Sequence, residues 1–327
     1  MPLSVLDLAP IPRGGSAGAT IAASVALAQR AEELGYRRVW YAEHHNMPSI
    51  ASSAPAVLIA HVAAHTTSIR LGSGGVMLPN HAPLTIAEQF GTLAAAHPGR
   101  IDLGLGRAPG SDPTTTAALR RDPAAADTFP QDVLELQGYL AGESRVPGVS
   151  AMPGAGTRVP LYILGSSTFG AGLAAALGLP HAFASHFAPA ALHDAVARYR
   201  REFRPSEQLA APHVIAGVNV IAADTEDDAR AQLGGARRQR AAALFGRGRD
   251  LSDAEADALL DAGADRHVDA MFACSAIGTP AQVREQLHAF AADAQADELI
   301  TAHASPTVEA RLHSLTLLGE AVRPVAA

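Results

Sequence analysis

Short β-rich runs alternate with longer Ala- and Leu-rich helical runs along almost the whole of this 327-residue chain. That alternation restricts its fold more than any other feature. Parallel neighbours in a sheet need a long crossover between them, and a helix that packs back on the sheet supplies it, so the pattern predicts a parallel sheet covered by helices. Strands are expected at Leu3–Leu8, Arg38–Ala42, Ile69–Val76, Ile101–Gly106, Leu161–Leu164, His181–Ala184, His213–Ala222 and Glu298–Ala302. Helices are expected at Thr20–Leu34, Ala54–His65, Thr85–His97, Phe129–Ala141, Ser167–Leu177, Pro189–Phe203, Pro280–Ala292 and Pro306–Gly319. Eight strands, each followed by a helix, is the count of a TIM (β/α)8 barrel, the fold class expected here. Boundary chemistry agrees: Thr279-Pro280 and Ser305-Pro306 place a capping hydroxyl before a first-turn proline, and Gly35 and Gly178 follow helix ends.

One barrel domain over residues 1–327 accounts for the chain, with two departures from the repeat. Gly142–Arg158 is rich in Gly and Pro. Asp224–Gly278 separates the seventh strand from its helix, and its Arg237–Arg249 and Ser252–Leu260 runs suggest one or two surface helices with a mobile connection. An insertion leaving the C-terminal end of a barrel strand is expected to serve as an active-site lid, or else to be a solvated excursion.

Composition removes several function classes. The net charge is −7, with 25 basic residues, all Arg, and 32 acidic ones spread along the chain, so no basic stripe offers itself to nucleic acid. The single Cys274 rules out an intramolecular disulfide framework and a cysteine metal cluster. No apolar stretch reaches the roughly 18 residues that span a bilayer, and Met1-Pro2-Leu3-Ser4 has no basic flank or long apolar run. A cytoplasmic protein without membrane partners is expected.

In a barrel the site lies at the C-terminal strand ends, which restricts the candidates. Asp7 and Pro10 follow the first strand; Glu43, His44, His45 and Asn46 follow the second. Two adjacent imidazoles at a strand end suit proton transfer near neutral pH, although a structural role is the usual alternative. The third strand ends in Ser73-Gly74-Gly75-Val76-Met77, where paired glycines mark either a close approach of a ligand to the backbone or a bend for barrel closure. Arg107 ends the fourth strand and can take a phosphate or pair with a loop carboxylate such as Asp112. After the fifth strand, Gly165-Ser166-Ser167 places hydroxyls and free amides at a helix start, which fits a phosphate and equally fits ordinary N-capping. The Walker and dinucleotide fingerprints are absent. Glu43, His44 and His45 point to alternate faces of a strand and are not expected to share a metal.

Taken together and in order, these motifs resemble the luciferase-like monooxygenases. The likeness is carried by Trp40-Tyr41-Ala42-Glu43-His44-His45, by Leu71-Gly72-Ser73-Gly74-Gly75-Val76 with Pro79 and His81, and by Ala87-Glu88-Gln89. Gly99–Arg107 and Ile163-Leu164-Gly165-Ser166-Ser167 continue it. The resemblance implies FMN with its ring against Ser73–Met77, a non-proline cis peptide at Gly74-Gly75, and the phosphate on Arg107, Gly165, Ser166 and Ser167. It implies His44 as the active-site histidine, with His45 and Glu43 in support. It further implies a monooxygenase in which FMNH2 from a separate NAD(P)H:flavin reductase and O2 oxidise a small organic substrate, and a homodimer through the alanine-rich helices Ala54–His65 and Thr85–His97. An F420-dependent dehydrogenase or reductase of the same fold is one alternative, and a non-catalytic flavin-binding partner subunit is another. Leu105 or Gly106 stands where luciferase carries a reactive cysteine, so light emission is not implied.

Overall fold

The computed structural model describes residues 1–108, 112–246 and 249–322. Its strands are β1 (Leu3–Asp7), β2 (Arg38–Tyr41), β3 (Arg70–Met77), β4 (Ile101–Gly106), β5 (Leu161–Gly165), β6 (His181–Phe183), β7 (Val214–Ala222), β8 (Ser275–Gly278) and β9 (Glu298–His303). Helices are α1 (Ala17–Leu34), α2 (Pro55–Ala63), α3 (Pro83–Ala96), α4 (Pro113–Ala118), α5 (Phe129–Ala141), α6 (Thr168–Leu177), α7 (Leu192–Glu202), α8 (Glu226–Phe245), α9 (Asp253–Leu259), α10 (Asp265–Met271), α11 (Pro280–Asp293) and α12 (Val308–Val322).

Eight of the strands, β1 to β7 and β9, run parallel, and β9 pairs back with β1 to close the barrel. Side chains alternate as the pleat requires. Leu6, Trp40, Ala42, Tyr162, Ala182, Ile215 and Ile300 pack together inside, whereas Val5, Val39, Tyr41 and Leu103 belong to the larger core beneath the helices. The TIM-type barrel expected from the alternation is therefore the fold.

β8 is a ninth strand that the sequence pattern did not separate from the insertion. The reason lies in β7: its first residues, Val214–Ala216, pair with β6, which is only three residues long. The same edge of β7 would be left open farther along, and β8 pairs there with Asn219–Ala222, satisfying backbone groups that would otherwise lack partners.

The insertion itself is folded onto the barrel. Ala229, Ala236 and Leu233 of α8 pack on Ile221 near the end of β7 and Ala223 just beyond it, while Ala241, Leu260 and Val268 hold α8 to α10 and the turn before it. Arg237 pairs with Asp269 at 2.8 Å and Arg238 with Asp257 at 2.7 Å. Part of the connection expected to be mobile, residues 247–248, lies outside the described residues.

The floor of the barrel is polar and sealed. Arg38 contacts Asp102 at 2.8 Å, Glu298 at 2.9 Å and the Tyr162 hydroxyl at 2.6 Å, with Arg38, Asp102 and Glu298 all essentially inaccessible to water. Ser4 donates to Glu298 and Trp40 Nε1 to Asp102. Buried charges survive in such a place only because each has an opposite partner. The opposite mouth, at the C-terminal ends of the strands, is where chemistry is expected.

Candidate active site

Adjacent residues at the end of β2 point to opposite sides, and the structure gives them different surroundings. Glu43 is buried and its carboxylate is saturated: it accepts from His45 Nε2 at 2.9 Å, Asn80 Nδ2 at 3.1 Å, His81 Nε2 at 2.9 Å and the Met77 amide at 3.1 Å. Burial alone would raise its pKa, but the hydrogen bonds and charge of His81, with the hydrogen bonds of Asn80 and His45, hold it below the ordinary carboxylate value. Glu43 thus ties the turn after β3 to the end of β2. It makes no hydrogen bond to His44.

His44 has the opposite character. Its Nδ1 is buried without a hydrogen-bond partner. Burial lowers its pKa, the Glu43 charge opposes that shift, and His45 and Arg240 add to it. The result is an imidazole that stays neutral at neutral pH and keeps a ring nitrogen uncommitted.

Beside it, the Gly74–Gly75 peptide of β3 is cis. The pairing with β4 shifts register here, from Ser73 opposite Leu103 to Val76 opposite Leu105. A Cβ on Gly75 would stand 2.9 Å from the Gly104 carbonyl oxygen, so this segment has no room for side chains. Their neighbours are otherwise engaged. Ser73 Oγ donates to the Gly104 carbonyl and accepts from its amide, and Val76 is packed in the core beneath the helices. Both residues were expected to bind a cofactor; Ser73 is engaged in the pairing with β4 and Val76 in packing, and Gly74, Gly75 and Met77 complete the end of β3.

Across the mouth, Arg107 at the end of β4 stacks over the Phe169 ring with its guanidinium carbon 4.2 Å from the centroid. It has no carboxylate partner among the described residues. Asp112, the alternative partner, instead caps α4 by accepting from the Thr114 and Thr115 amides. Phe169 sits in the first turn of α6, whose N-cap residue Ser167 makes no side-chain capping bond. A stacked cation, free first-turn amides and serine hydroxyls therefore stand together, with Gly165 beside them, where an added Cβ would meet only the Gly170 Cα at 3.9 Å. Asp7, by contrast, turns to the helices: it accepts from Ser24 Oγ at 2.5 Å and pairs with Arg311 at 2.7 Å.

Two residues of the mouth were not anticipated from the sequence. His186, just beyond β6, is 8% exposed and its Nδ1 has no partner. Gly217 of β7 makes room for it, since a Cβ there would stand 2.4 Å from that nitrogen. Arg240 of α8 is close enough to depress the pKa of both His44 and His186. The strand-end rule could have found His186; Arg240 was hidden in an arginine-rich helix.

The closed parallel barrel agrees with comparisons to known proteins. A family model described as luciferase-like monooxygenase matches residues 1–298. The chain belongs to the luciferase-like monooxygenase family. An Escherichia coli K12 member, itself described as a luciferase-like monooxygenase, is 46% identical over 317 residues, covering 96% of this chain and 95% of that one. The crystal structure of apo-MsnO8 superposes with a TM-score of 0.89 at 36% identity, covering 98% of both chains. A type II Baeyer–Villiger monooxygenase, the oxygenating constituent of 3,6-diketocamphane monooxygenase from Pseudomonas putida in complex with FMN, shares the fold at a TM-score of 0.73 and 16% identity, covering 98% of both chains. Among the described residues of this family member, no helix is long and apolar enough to cross a membrane.

Proposed function

We propose that this protein is the oxygenating component of a two-component FMN-dependent monooxygenase acting on a small organic substrate. The observation that carries the reading is the half-buried His44 imidazole, its buried Nδ1 uncommitted, on a barrel mouth that also presents Gly74-Gly75 and the Arg107–Phe169–α6 corner. The residues fit the cofactor. Gly74, Gly75 and Met77 would lie along the ring, and Arg107 with Gly165, Ser166, Ser167 and the α6 amides would hold the phosphate, where a guanidinium and a helix start act together. Reduced FMN bound there supplies the two electrons that activate O2, delivered as FMNH2 by a separate NAD(P)H:flavin reductase.

The chain's own contribution is placement and proton handling. His44, held neutral, accepts a proton from the substrate or donates a hydrogen bond during oxygen transfer. Glu43, through His45, His81, Asn80 and the Met77 amide, fixes the β2 and β3 ends against each other so that the imidazole and the ring site keep their spacing. Helices α8 to α10 cover the mouth as a lid and exclude water from the reaction.

His44→Ala is expected to bind FMN as the parent does, by fluorescence quenching, while substrate-dependent oxidation falls about 100- to 10,000-fold, the range for loss of a general base. Unchanged oxidation in that variant removes the assignment. Tight FMNH2 binding with oxygen uptake supports the monooxygenase; selective binding of F420 without oxygen uptake replaces it with the dehydrogenase alternative.

A further inference from the structure

Four arginines lie on α8, and three of them are paired with carboxylates. Arg230 contacts Glu226 and Asp227, Arg237 contacts Asp269 and Arg238 contacts Asp257. Arg240 alone has neither a hydrogen bond nor an acidic partner among the described residues, and no Asp or Glu stands at the positions outside them.

Its position is set by the helix. Ala229, Leu233, Ala236 and Arg240 recur at intervals of four, three and four residues, which puts them on one face, and the first three are packed against the end of β7. Continuing that face brings Arg240 over the mouth, half-buried, within electrostatic reach of His44 from β2 and His186 from beyond β6. Both imidazoles carry a buried Nδ1 with no partner. Burial disfavours the charged form of Arg240, yet a guanidinium remains protonated in proteins, so the cation stays where water is scarce and no anion is supplied by the described residues.

We propose that Arg240 is the recognition residue for a substrate anion, a carboxylate, that docks against α8 with His186 beside it and presents the rest of the molecule to the flavin face near His44. A carboxylate matches the guanidinium fork and restores the missing countercharge. Apolar surface for the remainder is at hand, since Met47 after β2 and Phe187 after β6 are 46% and 44% exposed. The preferred substrates are then small organic acids with a short apolar body rather than neutral hydrocarbons or aldehydes. The inference rests on the flavin-site reading above. The one other anion available, the phosphate of FMN, is assigned to the Arg107 corner.

Calorimetric titration of the FMN-loaded protein with hexanoate, benzoate and N-acetylglycine, each paired with its primary amide, tests this. At least one acid is expected to bind tenfold or more tightly than its amide. In Arg240→Gln that preference should vanish, in Arg240→Lys it should persist in weakened form, and in Arg238→Gln it should be unchanged; FMN affinity should stay within twofold in all three. Circular dichroism and thermal melting establish that each variant is folded. Equal binding of acids and amides by the parent, absence of acid binding, or an acid preference retained in folded Arg240→Gln overturns the proposal. A loss of FMN affinity in that variant, competed by inorganic phosphate, reassigns Arg240 to the cofactor. Failure of the parent to bind FMN at all defeats the flavin reading instead, and the acid–amide comparison on the flavin-free protein then decides Arg240 separately.

Discussion

Neighbouring side chains at a strand end alternate in direction, and that single fact separates Glu43 from His44. Both were visible in the sequence as one acidic–imidazole cluster, because the spacing of residues along a strand end identifies a site without saying which atom faces which partner. The structure turns Glu43 toward four donors and leaves His44 toward the mouth. His81, named only within a motif, proves to be part of the Glu43 cluster, and its distance of 38 residues along the chain explains why local pattern could not join the two. Glu43→Ala is expected to take the acceptor away from several donors at once, among them the Met77 amide at the end of β3. A buried donor left unmatched costs about 1–3 kcal/mol, and water can reach the half-buried His45 and His81, so a net loss of about 2 kcal/mol is expected. Urea unfolding should show that loss together with weakened FMN binding; a destabilised variant with full FMN affinity would mean that the carboxylate holds the fold and not the site.

At the level of elements, the eight barrel strands were legible because each is an apolar run bounded by turn residues. β8 was not: Ser275–Gly278 is short, lies at the end of a long insertion and exists because β7 outruns β6, a length mismatch that only the assembled sheet reveals. The Gly-rich stretch 142–158 was likewise recognisable as irregular, but its purpose is tertiary. A Cβ at Gly91, in the middle of α3, would stand 2.1 Å from the Gly154 Cα, so the helix and this loop touch backbone to backbone. Gly91→Ala would gain about 1 kcal/mol of helix propensity. Overpacking against backbone costs typically 1–3 kcal/mol and more when nothing can yield, so the variant should be destabilised by about 2 kcal/mol. Gly234, in α8, is the contrasting case, because a Cβ there meets only the end of the Arg238 side chain at 3.9 Å. Gly234→Ala should therefore raise stability by about 0.5–1 kcal/mol. Chemical denaturation of the two variants checks the pair, and the same sign of change in both would contradict the packing argument.

The whole molecule has a charged, sealed floor and a mouth lined with neutral imidazoles, and its response to acid follows from where histidines are buried. His181, at the start of β6, is pushed down to about 4 by burial, against a backbone hydrogen bond from the ring to Ile163 that pulls the other way. His186 is pushed down to about 4 by burial and then by Arg240 and His44, and His303 to about 3 by burial and then by Arg311. An unfolded histidine takes up its proton near 6.5. Between 6.5 and about 4 the unfolded chain therefore binds protons that the folded chain refuses, and stability, complete above 6.5, is lost as pH falls through that window. Each such histidine contributes a slope of at most about 1.4 kcal/mol per pH unit, so the three together give roughly 4 kcal/mol per unit. Glu43 and Glu298, whose pKa values lie below the usual range through their hydrogen bonds and charged partners despite burial, act with the same sign but only below about 4.5. Since domains are held by about 5–15 kcal/mol, unfolding should set in near pH 5, before the carboxylates titrate. His303→Gln should keep a polar partner for Ser314, whose hydroxyl lies 2.9 Å from His303 Nδ1, and reduce the slope by about one third. Unfolding free energies measured in urea at pH 7, 6 and 5.5 decide the matter: a flat profile over that range, with loss only below 4.5, would assign acid sensitivity to the carboxylates of the floor and not to the imidazoles of the mouth and barrel wall.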